Sequence, residues 1–124
     1  MKEIVAVFIG GGLGSLARYG LARSLNTVAG LGFPAGTFLA NVLACLILGF
    51  VVGLAEQRLV FSPVMRIFWA VGFCGGFSTF STFSYENLLL FQNGQNGTML
   101  IYLVLSLVLC VIAVFSGQFL AAKL

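Results

Sequence analysis

The chain has 124 residues, of which 60% are hydrophobic and 7% charged, and its mean hydropathy is +1.13. Six basic and three acidic side chains cannot clothe a water-soluble domain of this length, so lipid is the solvent for most of the exterior. The net charge of +3 is spread thinly with no basic run, which argues against nucleic acid as a partner. Without histidine, a paired carboxylate or a nucleophile beside a base, an enzyme is the class least supported.

A bilayer core about 30 Å thick takes about 20 apolar residues of helix to cross, and four segments qualify. The first runs from Ile4 to Leu25, with Arg18 and Arg23 near its far end. Lys2 before an apolar run has the outline of a signal peptide, but helix-compatible sequence continues to Leu25, so the N-terminus reads as retained. Asn26 to Gly32 is turn-like, and Pro34 suits the start of a second span, Phe33 to Leu54, which carries no charge. Glu56, Gln57 and Arg58 read as a polar loop, and Ser62-Pro63 as another helix start. The third span is placed at Val64 to Leu90, the turn at Asn93 to Gly97, and the fourth span at Met99 to Ala121. The whole chain, residues 1–124, is one all-α transmembrane domain with both termini on one side. Lys2, Arg58, Arg66 and Lys123 fall on that side against Arg18 and Arg23 on the other, too small a difference to fix one orientation. Tyr19, Tyr85 and Tyr102 near one face and Trp69 near the other fit interfacial anchors.

Gly10 and Gly14, Gly49 and Gly53, and Gly72 and Gly76 are each four apart, a spacing that lets helix backbones approach within a chain or across a dimer seam. Cys45, Cys74 and Cys110 match no metal-site spacing and read as free thiols acting as small apolar residues.

The unusual stretch is Gly72 to Ser84, inside the third span. Gly75-Gly76 weakens a helix, and the hydroxyls that follow compete for backbone hydrogen bonds. The near-repeat of Phe-Ser-Thr sets Phe77, Phe80 and Phe83 three apart. Either this is a packed helix with back-bonded hydroxyls, or it is a broken helix whose freed carbonyls hold a cation. On the second span Thr37 and Asn41 share a face, and Tyr102, Ser106 and Cys110 repeat every four residues on the fourth. These are interhelical glue or, together, a track of neutral donors suited to a small anion. A phenyl ring's positive edge adds to such a track.

Gly11-Gly12-Leu13-Gly14 with Arg18, then Gly36-Thr37-Phe38 with Asn41 and Gly49-Phe50, then Gly72 through Phe83 resemble the Fluc (CrcB) family of fluoride channels. The match covers three of the four expected spans in order, and the third-span signature is the specific part. The resemblance implies a passive, selective fluoride channel of a bacterial (inner) cell membrane, exporting cytoplasmic fluoride and so lowering its toxicity. It implies a dual-topology chain in an antiparallel homodimer surrounded by lipid, with the third helix broken near its middle. It further implies a structural sodium ion at the dimer interface, bound by the backbone carbonyls of Gly75 and Ser78. Phe80 and Phe83 match the pore-lining rings, Asn41 the pore amide, and Arg18 the arginine of the aqueous vestibule. Ser81 and Thr82, with Thr79, are further hydroxyl donors of the signature. Tyr102 and Ser106 fit the fourth-helix polar track, whereas Cys110 stands where a serine is expected. Glu86 reads as an interfacial charge. A small proton-coupled multidrug exporter is the alternative of similar length, and it needs a titratable group inside the membrane. A structural membrane subunit is the third possibility.

Overall fold

A computed structural model describes residues 1–28, 32–58 and 61–124, apart from the side chains of residues 26–28 and 58. Its described residues are helical almost throughout. Helix α1 spans Lys2–Val28 and α2 spans Ala35–Arg58. Next come α3 (Pro63–Ile67), a π-helical turn (Phe68–Phe73) and α4 (Cys74–Phe77) in one continuous run. Then α5 (Phe80–Gln92) and α6 (Asn96–Ala122) follow. Three helical stretches, Lys2–Leu25, Ala35–Gln57 and Asn96–Ala122, are long and apolar enough to cross a membrane.

Helix ends differ from expectation in ways that follow from local chemistry. The turn expected at Asn26 to Gly32 is helical as far as Val28, and residues 29–31 lie outside the described part. Glu56, Gln57 and Arg58 are not a loop but the last turn of α2, where Gln118 Nε2 donates to Glu56 Oε2 at 3.3 Å. Asn96 and Gly97 open α6, so the last turn of the third segment is tighter than expected. Gly94, at φ +73°, takes the left-handed conformation that a side chain resists. Ser62 caps α3 as expected, accepting from Met65 N at 3.2 Å, with Pro63 in the first turn.

Close backbone approaches set the arrangement. An atom added at Gly10 would lie 2.6 Å from the Phe68 carbonyl oxygen, and one at Gly14 would meet Phe73 and Phe77 backbone. Gly76 in turn meets Gly11. These matches rise together along both segments, so α1 runs parallel to the α3–π–α4 run. A second parallel pair has the same logic. Gly49 lies against Val114, Gly53 against Gln118 and Ala121, and Gly117 against Leu46 and Phe50, so α2 and α6 advance side by side. All the glycine pairs noted in the sequence therefore serve packing within one chain. Small residues do this work because lipid supplies no hydrophobic drive between helices, only contact.

What remains for side chains is two small clusters. Phe77 packs with Ala40 and Ala44 beside Leu21, Leu43 and Phe73. Phe83, Leu90 and Tyr102 pack beside Phe33, Phe38, Met99 and Leu103. Leu100, Val104, Leu107, Val111 and Phe115 on α6 are exposed.

The α2–α6 seam gives a direct test. A methyl at Gly49 would collide with the Val114 carbonyl oxygen, whereas one at Gly20 meets nothing within 4 Å. Gly49→Ala is expected to destabilise the protein by about 3 kcal/mol through overpacking. Gly20→Ala, in an open helical site, is expected to be neutral or to stabilise by about 0.5 kcal/mol. Denaturant unfolding in detergent measures both.

Candidate functional site

The third segment is broken, and the break falls at Ser78–Thr79. Both residues are extended (φ −82°, ψ 156° and φ −154°, ψ 120°), between α4 and α5. Gly75-Gly76, where the sequence suggested weakness, stays helical because Gly76 serves the α1 contact and its carbonyl accepts from Arg18 Nε at 3.1 Å.

Asn41 on α2 holds the break open. Its Oδ1 accepts from Thr79 N at 2.7 Å and its Nδ2 donates to Thr79 O at 3.2 Å, so one side chain replaces both backbone partners of an interrupted helix. The Thr79 hydroxyl then accepts from Thr82 N at 3.2 Å and starts α5 as its N-cap. Two carbonyls lose their usual donors as a result. In an unbroken helix Thr79 N–H would serve Gly75 and Thr82 N–H would serve Ser78; here both amides go to side-chain oxygens. The Ser78 hydroxyl turns back to the Cys74 carbonyl at 2.8 Å. Gly75 is exposed, with open space where a side chain would begin.

Beside the break is an open cavity of about 270 Å³, lined by Asn41, Ser78, Thr79, Phe80, Phe83 and Ser106 together with Cys45, Leu107, Cys110 and Val111. Ser106 is 5% exposed and its hydroxyl has no hydrogen-bond partner, an uncommon state for a buried donor. Phe80 is 72% exposed and Phe83 is buried, with ring centroids 5.5 Å apart. One helical turn along α6, Tyr102 is fully buried and packs on Phe83 at 4.9 Å between centroids. It is not the interfacial anchor its position suggested. Its hydroxyl donates to Glu86 Oε2 at 2.7 Å, and the buried Thr37 hydroxyl donates to Glu86 Oε1 at 2.6 Å. Glu86 is thus a half-buried acceptor joining α2, α5 and α6 rather than a charge at the interface. Beyond it a second cavity, about 540 Å³, is lined by Phe33, Thr82, Tyr85, Glu86 and Gln95 among others.

The structure therefore brings Asn41, Ser78, Phe80, Phe83 and Ser106 to one cavity, puts Thr82 in the second, and buries Tyr102 beside the partition between them. Ser81 stays outside both, its hydroxyl 3.2 Å from that of Thr79, and Arg18 sits on the α1–α4 contact instead of lining either. Glu86 as a hydrogen-bond hub and Cys45 as a lining residue escaped the sequence. The available signal was register. Thr37, Asn41 and Cys45 are spaced by four, as are Tyr102, Ser106 and Cys110, and the parallel seam sets the two series level.

This arrangement defines an all-helical, multi-pass membrane protein whose polar groups converge on a broken segment. Residues 5–118 match the model of the family described as CrcB-like protein, Camphor Resistance (CrcB), and the chain belongs to that family. Similar relatives include a fluoride-specific ion channel FluC of Nitratidesulfovibrio vulgaris, 50% identical over 95 residues and 77% of each chain. Another of the same name, from Chlorobium phaeobacteroides, is 44% identical over 98% of this chain and 95% of its own. One from Pyrococcus furiosus is 42% identical over 99% and 98%. These are ion channels by name, not enzymes.

Replacing Asn41 by Leu would leave the N–H and C=O of Thr79 without their partners. The expected cost is about 3 kcal/mol, with loss of the break's single geometry. Asn41→Asp, which keeps the acceptor but sets a second oxygen against the Thr79 carbonyl, should also destabilise. Denaturant unfolding in detergent ranks the two against wild type, and equal stability of all three would mean that Thr79 finds other partners.

Proposed function

We propose that this protein is a passive fluoride channel that lets cytoplasmic fluoride leave the cell down its gradient. The observation that carries the proposal is the broken segment opening onto a cavity of neutral donors, with the buried Ser106 hydroxyl unpartnered. The names of the relatives support it. Fluoride is small and strongly hydrated, so a route must replace its water shell with several close donors and bind it weakly enough for release. Asn41 has a second amide hydrogen beyond the one given to Thr79; Ser106 supplies a hydroxyl, and Phe80 and Phe83 supply positive ring edges. The route runs from this cavity past Tyr102 towards the cavity lined by Thr82 and Glu86, with Ser81 a further donor at the open face and Arg18 attracting anions nearer the aqueous side.

In the same reading the third segment completes four crossings, and the protein works as an antiparallel homodimer of dual topology in the (inner) cell membrane of a bacterium. Supporting this, Gly75, Phe80, Ser81 and Ser84 are exposed at the break, and polar backbone at membrane depth needs protein over it instead of lipid. A second copy would cover that face. The carbonyls of Gly75 and Ser78 suit a hard cation such as sodium, because each has lost its helical donor and presents oxygen alone. Bound there, the ion would hold two copies together electrostatically.

Liposomes carrying the protein test the pathway. Phe80→Ile and Phe83→Ile remove the ring edges while keeping apolar bulk. Each is expected to cut fluoride efflux by about 100-fold, equivalent to about 3 kcal/mol on the barrier, with the dimer still formed on size-exclusion chromatography. Efflux unchanged in both would remove the rings from the mechanism.

A further inference from the structure

The parallel α2–α6 seam makes a three-step ladder. Thr37 and Tyr102 meet at Glu86, Asn41 and Ser106 flank the break, and Cys45 and Cys110 form the next step in the wall of the same cavity. The register behind this pairing is independent of the side chains, since Gly49 next along α2 meets Val114 next along α6. The same register sets Cys45 and Cys110 across the seam from each other; both are free, and both are half-buried at the cavity wall. Sequence alone suggested inert apolar filler. Their placement opposite one another makes them a paired soft donor where the other two steps carry oxygen and nitrogen.

We propose that Cys45 and Cys110 form a two-thiol site for a soft, linearly coordinated divalent cation of the mercuric type, and that its occupation closes the fluoride route. Thiolates select soft metals. Each thiol gives up its proton as its sulfur binds the metal. Mercuric chloride thus becomes a bis-thiolate complex with release of two protons and two chloride ions. Oxidation states do not change. Charge decides which cation fits. A divalent ion with two thiolates is neutral, whereas a monovalent one would leave a net negative charge in a site of low polarity, which is costly. Mercuric chloride is itself uncharged and can reach the cavity through lipid. Cys74, though buried close by, does not complete a larger set: among the described residues no group of three or more His, Cys, Asp or Glu is placed to hold a metal. The blocking part of the proposal rests on the fluoride reading above; the binding part does not.

Purified, liposome-reconstituted wild type, Cys45→Ala, Cys110→Ser and Cys74→Ala would be treated with mercuric chloride, then challenged with 2-mercaptoethanol. Retained mercury per chain and fluoride efflux would be measured on the same samples, with efflux normalised to each variant without mercury. Two sulfurs acting together should hold mercury about 100-fold more tightly than one. Wild type and Cys74→Ala are therefore expected to retain one mercury per chain and to lose efflux. Cys45→Ala and Cys110→Ser should release the metal to the competitor and recover efflux. Undiminished retention in Cys45→Ala or Cys110→Ser would overturn the site, and retention in wild type with efflux intact would overturn its place on the route. If no sample conducts fluoride before mercury is added, the channel reading fails, while retention still decides whether the thiol pair exists.

Discussion

The structure depends on how an interrupted helix is satisfied by the helix beside it. Thr79 leaves the helical path, so its N–H and C=O need partners outside the helix. Asn41 supplies both, and the amide is suited to the task because it carries an acceptor and a donor in one plane. A carboxylate offers acceptors alone. The exchange frees the carbonyls of Gly75 and Ser78 and starts α5 at Phe80. Phe80 and Phe83 are aimed by that start. A local accounting of backbone hydrogen bonds thus determines which polar atoms are available for an ion.

Around that point the glycines act as spacers rather than hinges. Gly10, Gly14 and Gly76 bring α1 onto the first half of the third segment, while Gly49, Gly53 and Gly117 close α2 on α6. Because the second pair runs parallel, polar residues four apart on each helix come level, and the ladder from Thr37 and Tyr102 to Cys45 and Cys110 follows without any specific contact to enforce it. Glu86 ties the lower step by accepting two hydroxyl hydrogen bonds. This leaves Ser106, on the middle step, with no partner in the protein. Asn41 and Ser106 both line the cavity.

Much of this was legible in the sequence. Hydropathy marks α1, α2 and α6, and the Ser62-Pro63 and Asn93-Gly94 signals mark the ends of the third segment. The Gly72–Ser84 run announces an irregularity, and the resemblance it carries leads to the family. Its location was not legible from propensity, since Gly75-Gly76 is the weaker helix former and yet remains helical. Tertiary contact decided: Gly76 is held against α1, whereas Thr79 is claimed by a side chain 38 residues away. Tyr102 and Glu86 were misplaced for a related reason. Tyrosine and glutamate near a span end resemble interfacial anchors until the register of α2, α5 and α6 is known, and only then do they find each other. Cys45 hid among apolar neighbours in the same way.

The central claim is that uncharged groups around the Asn41-held break pass fluoride in preference to larger anions. A fluoride-selective electrode beside liposomes loaded with potassium fluoride and supplied with valinomycin, read against a parallel chloride-electrode trace from chloride-loaded liposomes, tests it most directly. Rapid fluoride release with chloride retained is the predicted result. Equal release of both anions, or release of neither, would contradict the account.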